Sequence, residues 1–176
     1  MSETIQPYGS AERARGMSPR DPRLGPWRAF LTAHALVTRR LDEDLRTEQQ
    51  MTLAEYEALL HLAQAPEQRL RMNQLADRIV LSRSGVTRLI DRLVADGFVA
   101  RSQCSSDGRG AEAVLTDVGL DRLRQASRTH LRGIKAYFID SVADDDLDAI
   151  RRSCESVGRR VRADERATAT HDGRSA

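Results

Sequence analysis

Apolar positions along this chain recur mostly at spacings of three and four, with one short stretch at a spacing of two. After Pro26, which suits a first helical turn, come Trp27, Phe30, Leu31, His34, Val37, Thr38, Leu41 and Leu45. That pattern predicts a long amphipathic helix over 26–48. Thr52-Leu53-Ala54-Glu55 reads as a capping box that opens a second helix, with Tyr56, Leu59, Leu60 and Ala63 inward and a stop before Pro66. A short helix over 72–80 carries Met72, Leu75, Ala76 and Ile79. Ser82 is the predicted N-cap of the next helix, with Leu81 stapled onto Val86. Val86, Leu89, Ile90, Leu93 and Val94 form its inner stripe, and Gly97 ends it where a positive φ is needed.

From Phe98 the period changes to two. Phe98 to Arg101 and Ala111 to Leu115 predict two short strands around a polar loop, a hairpin. Thr116 caps a long helix through Leu120, Leu123, Ser127, His130, Leu131, Ile134, Tyr137 and Phe138. The last helix, 144–162, opens on Asp144-Asp145-Asp146, which suits the positive end of the helix dipole. Its apolar face is Leu147, Ile150, Cys154, Val157 and Val161, so Cys154 is expected in the core. The expected fold class is mainly α with a small β-hairpin.

Composition changes this picture little. With 176 residues and 40 % hydrophobic, the chain can bury a core, and with 4 % aromatic that core must be aliphatic. No apolar run approaches the roughly 18 residues a membrane span needs. Met1 to Gly25 holds Pro7, Pro19, Pro22 and three glycines and has no apolar signal core. We expect a flexible arm over 1–25, a polar tail over 163–176 and a cytoplasmic location. Two cysteines make no disulfide framework.

Charge changes more. Residues 69–110 carry eight Arg against four acids, while the flanking segments are close to neutral or slightly acidic. A local basic excess matters more than the net +2 when the partner is a polyanion. With one side of the helix after Ser82 committed to the core, the opposite side presents Arg83, Ser84, Thr87, Arg88, Asp91 and Arg92. Hydroxyls and Arg near a helix N-terminus suit phosphates and guanine edges in a major groove. Asp91, three residues from Arg88, is expected to orient it. A charged helix face alone is equally at home in solvent. The hairpin tip, Asp107-Gly108-Arg109-Gly110, tilts the balance: a glycine-flanked Arg can enter a minor groove, and Asp107 would aim it. Helix, turn, helix and hairpin together make a winged helix-turn-helix.

At this point the stretch 70–116 resembles the DNA-binding core of the MarR family of bacterial transcriptional regulators. The residues that carry the likeness are Leu75-Ala76, the run Leu81-Ser82-Arg83-Ser84-Gly85-Val86-Thr87-Arg88-Leu89-Ile90-Asp91-Arg92-Leu93, and Gly97 to Arg101. Asp107-x-Arg109 joined to Leu115-Thr116 and Gly119 is the most specific part. Arg71 and Ala113 depart from it, standing where a Ser or Thr cap and a Val are usual. The resemblance implies a MarR-type domain over 26–162, with a winged lobe at 52–116 and dimerisation helices at 26–48 and 117–162. It implies a homodimer on pseudo-palindromic double-stranded DNA and a ligand-responsive repressor. The DNA-binding set is then Arg71, Ser82, Arg83, Ser84, Thr87, Arg88, Arg92, Arg101, Asp107 and Arg109. A small anionic aromatic effector, if bound, would meet Trp27, Arg28, His34 and Tyr56.

Other chemistry finds no support in the sequence. There is no nucleophile triad, phosphate loop or dinucleotide fingerprint, so no enzyme and no cofactor is expected. The four histidines and two cysteines lack metal-ligand spacing. His34 and His130 read as satisfied core or interface histidines, and Cys104 as an exposed thiol in the wing. The alternative reading is a winged-helix adaptor whose basic face meets an acidic protein.

Overall fold

A computed structural model describes residues 18–79, 81–103 and 111–172, with side chains as far as Asp164 except that of Gln103. The chain divides into two compact units, one up to Leu36 and one from Val37 onward. No helix among the described residues is long and apolar enough to cross a membrane.

The first unit holds a 3-10 turn, Pro22–Leu24, and the start of helix α1, Gly25–Gln49. Asp21 caps the turn by accepting from the Arg23 backbone, and its side chain also binds the Arg23 guanidinium. Those hydrogen bonds hold the Asp21 carboxyl down at about 2. Along the helix, the Trp27 ring stacks on Phe30 at 6.1 Å and Phe30 lies the same distance from His34. Arg28 donates to the Pro19 carbonyl.

In the second unit the elements after α1 are α2 (Leu53–Ala63), β1 (Arg69–Arg71), α3 (Met72–Ala76), α4 (Arg83–Ala95), β2 (Val99–Gln103), β3 (Ala111–Leu115), α5 (Asp117–Tyr137) and α6 (Asp144–Asp172). The caps are those the sequence predicts. Thr52 Oγ1 accepts from Glu55 N at 3.1 Å while Glu55 returns a carboxylate oxygen to Thr52 N at 2.8 Å. Ser82 Oγ accepts from Gly85 N and Thr116 Oγ1 from Gly119 N. α4 ends on Gly97 at φ +76, with Phe98 N donating to Leu93 O and Gly97 N to Val94 O. That is a Schellman stop, and it turns the chain into β2.

The sheet is larger than the expected hairpin. β3 is its centre, with β2 on one side and β1 on the other, both antiparallel. Leu70 pairs with Ala113 and is buried, so the short Arg-Leu-Arg strand ties the entrance of α3 to the wing. Leu45, Leu59, Leu62, Leu75, Val86, Leu89, Ile90 and Leu93 are fully buried in one core. Each such side chain contributes about 1.5–3 kcal/mol through removal of apolar area from water. α1 and α5 approach closely at Gly133, where an added Cβ would stand 2.6 Å from Leu41 Cδ2. Across the same pair, Tyr137 donates to Asp44 at 2.7 Å, and Arg132 pairs with Glu48.

Three expectations change. α3 is one short turn pair, Met72–Ala76, because Asp77 to Ile79 leave the helix as a turn. Helix α6 runs on to Asp172 where a tail was expected from 163. Cys154 is exposed, since no residue from 144 to 164 is buried against the rest of the chain.

His130 also differs from expectation. Its ring lies 4.3 Å from the Tyr56 ring, yet its buried Nδ1 has no hydrogen-bond partner among the described residues. Burial pushes this imidazole below its usual 6.5. The native state then binds fewer protons than the unfolded chain, so stability is lost as pH falls below 6.5. We expect urea midpoints to drop over that window, and His130→Gln to flatten the drop. Equal pH profiles for the two proteins would refute the assignment.

Candidate nucleic-acid interface

Helix α4 follows α3 across a short turn and presents one face to the core and the other to solvent. The inner stripe Val86, Leu89, Ile90 and Leu93 is at most 1 % exposed, which leaves the rotation of the helix no freedom. Arg83, Ser84, Thr87, Arg88, Asp91 and Arg92 are consequently all exposed. The sequence-predicted ridge therefore exists as a surface.

Its members are differently engaged. The guanidinium groups of Arg83 and Arg88 form no hydrogen bond or ion pair with any described residue, so both are available. Ser82 is occupied as the N-cap, with Ser84 Oγ at 3.2 Å. Thr87 Oγ1 donates to the Arg83 carbonyl at 3.1 Å, leaving its lone pairs outward. Asp91 does not orient Arg88: it pairs with Arg101 of β2 at 2.6 Å, across the helix–wing junction. Arg101 was expected at the interface, and this carboxylate holds it beside α4. Arg92 pairs with Glu55 of α2 at 3.2 Å. Arg71 ends β1 and starts α3, where its backbone N–H donates to Gln74 Oε1 at 3.1 Å.

Asp107, Arg109 and Cys104 lie outside the described residues, in the segment that joins β2 to β3. Of the residues assigned to an effector, Trp27, Arg28 and His34 are exposed in the first unit. Tyr56 belongs to the second unit, is 3 % exposed, and its phenol lies 3.3 Å from Ser127 Oγ. Sequence reasoning missed one participant. Glu55 was visible as a capping residue, but nothing along the chain ties its second oxygen to Arg92. Among the described residues no group of His, Cys, Asp or Glu is arranged to hold a metal ion.

A helix-turn-helix with one face of its second helix exposed, followed by the β2–β3 hairpin onto which β1 pairs from before α3, defines a winged-helix protein. A family model described as the MarR family matches residues 49–110, from the last residue of α1 to just before β3. AbsC, a MarR family transcriptional regulator from Streptomyces coelicolor, superposes with a TM-score of 0.74 at 30 % identity, covering 85 % of this chain and 99 % of that one. Sco3205 from the same organism, a MarR family transcriptional regulator solved in complex with DNA, has a TM-score of 0.72 at 29 % identity and covers 82 % and 89 %. The HTH-type transcriptional repressor YetL of Bacillus subtilis (strain 168) is 32 % identical over 93 residues, 53 % of this chain and 55 % of YetL. The match spans about half the length of such curated relatives. The chain belongs to the MarR family of transcriptional regulators.

Proposed function

We propose that this chain binds double-stranded DNA sequence-specifically as a homodimer and regulates transcription, acting as a ligand-responsive repressor and not as an enzyme. The observation that carries the reading is the exposed ridge of α4, with two guanidinium groups uncommitted among the described residues and two hydroxyls toward the end of the helix that meets base edges. Arg109, by its place in the sequence, supplies the wing tip. The DNA complex of Sco3205, a relative of the same fold, supports this placement. Homodimerisation is supported by α6: Ile150, Val157 and Val161 are 36 %, 64 % and 51 % exposed on one helix face, more apolar surface than a lone helix normally leaves in water. A two-fold dimer sets its two recognition helices about one DNA turn apart, which matches a pseudo-palindrome. Occupying a promoter would block it sterically. An effector would act through differential affinity for the DNA-competent form, and its test is calorimetry with phenolic acids on wild type and His34→Ala.

The deciding experiment is binding to genomic duplex fragments as a function of salt. Neutralising phosphates releases counterions, so affinity should fall by about two or more orders of magnitude from about 50 to 200 mM salt. Two chains per duplex are expected. An adaptor for an acidic protein would ignore duplex DNA even at the lowest salt.

A further inference from the structure

Arg92 sits on the same helix as Arg83 and Arg88 but is not in the same situation. Its Nε donates to Glu55 Oε1 at 3.2 Å, and Glu55 is a residue already in use. The other Glu55 oxygen accepts from Thr52 N at 2.8 Å in the capping box. The next amide, Leu53 N, donates to Asp42 Oδ1 of α1 at 2.8 Å, and the second Asp42 oxygen accepts from Arg46 Nε at 2.6 Å. Each of two carboxylates thus spends its two oxygens on different elements. The result is an unbroken polar run from α1, through the N-terminus of α2, to the middle of α4. The turn between α1 and α2 is itself tight, with Gln50 at φ +48. Arg92 lies nine residues beyond Arg83, about 13 Å further along the axis from the end that meets base edges.

From this we infer that Arg92 is a positioning residue and not a DNA contact: with Glu55 and Asp42 it fixes how α4 is held against the α1–α2 corner. The inference rests on the DNA-binding reading and refines it. The Glu55 side chain is 15 % exposed, so its pairing with Arg92 survives salt better than an open surface pair. Phosphate would have to compete with that carboxylate, whereas Arg83 and Arg88 meet no such competitor among the described residues.

Glu55→Gln isolates the arm. An amide oxygen can still cap Thr52 N, since Glu and Gln both serve at that place, but the charge that holds Arg92 is gone. The probes are a duplex of about 30 base pairs enriched by the wild-type protein from a random pool and an unrelated duplex of equal length. Glu55→Gln and Arg92→Ala should each weaken binding to the enriched duplex by about two- to fivefold, the double variant no further. The slope of log affinity against log salt and the affinity for the unrelated duplex should stay unchanged. Three results would overturn the inference: Arg92→Ala lowering the salt slope by about 0.9, the mark of one lost phosphate contact; Glu55→Gln tightening binding to both duplexes; or no loss with either variant. Should Glu55→Gln fail to fold, Arg92→Gln leaves the capping box intact and carries the same slope comparison. If the wild-type protein enriches no duplex at all, the DNA-binding reading itself fails and this assignment falls with it.

Discussion

Gly119→Ala should destabilise the winged lobe by about 2–3 kcal/mol, read as a lower urea midpoint at constant m-value. The direction is the informative part. Gly119 sits in the first turn of α5, and at an ordinary helical position Ala is better than Gly by about 1 kcal/mol. Here an added Cβ would stand 2.0 Å from the Phe98 carbonyl oxygen and 2.9 Å from Leu115 Cδ1. The first obstacle is backbone, and that backbone is pinned. Thr116 N donates to the same Phe98 oxygen at 3.1 Å, Thr116 Oγ1 donates to the Gly97 carbonyl at 2.8 Å, and Phe98 N is committed to the Schellman stop of α4. The strand–helix corner therefore cannot yield without undoing the end of the recognition helix. Gly119→Val should be worse, since a branched side chain adds two methyl groups to the same space. A Gly119→Ala protein as stable as wild type would show that the corner is softer than its hydrogen bonds imply.

The same corner explains what could be foreseen from the chain. Helix starts were legible because each is marked by a local side chain: Thr52, Ser82 and Thr116 all cap as their spacing to the third following amide predicts. The Gly97 stop was legible because only glycine adopts its φ freely. The ridge on α4 followed by subtraction, once the aliphatic stripe had taken the other side. What stayed hidden was non-local. β1 is three residues long, too short for a period, and its partner β3 lies more than forty residues on. Asp91 has Arg88 at helical spacing, yet its partner is Arg101, brought close only when the wing folds back. Cys154 has the period of a core residue, but periodicity tells which face is apolar and not what covers it. α6 continues past 162 because no Gly or Pro stands there to stop it before the acidic end at Asp172.

Arg88→Ala should cost about 1–3 kcal/mol of binding to an enriched duplex and relax the preference at one base position. The argument starts from the inner face. Leu89 and Ile90 are 1 % and 0 % exposed, so the adjacent residue 88 is carried outward with no rotational choice. Its guanidinium has no hydrogen-bond or ion-pair partner among the described residues, unlike those of Arg92 and Arg101, so no such contact has to be broken before it reaches a base. An Arg so placed can donate two parallel hydrogen bonds to guanine O6 and N7, a geometry no other base offers. Truncation then removes both affinity and discrimination, and it does so at one position because the fork spans one base. Arg83, the first residue of α4, is assigned to a phosphate and should behave differently. Its loss should weaken all duplexes alike and lower the salt slope by about 0.9. Selection from a random pool by the two variants separates the roles. If Arg88→Ala returns the wild-type consensus unaltered, base reading lies elsewhere on the lobe and the ridge serves only to grip phosphate.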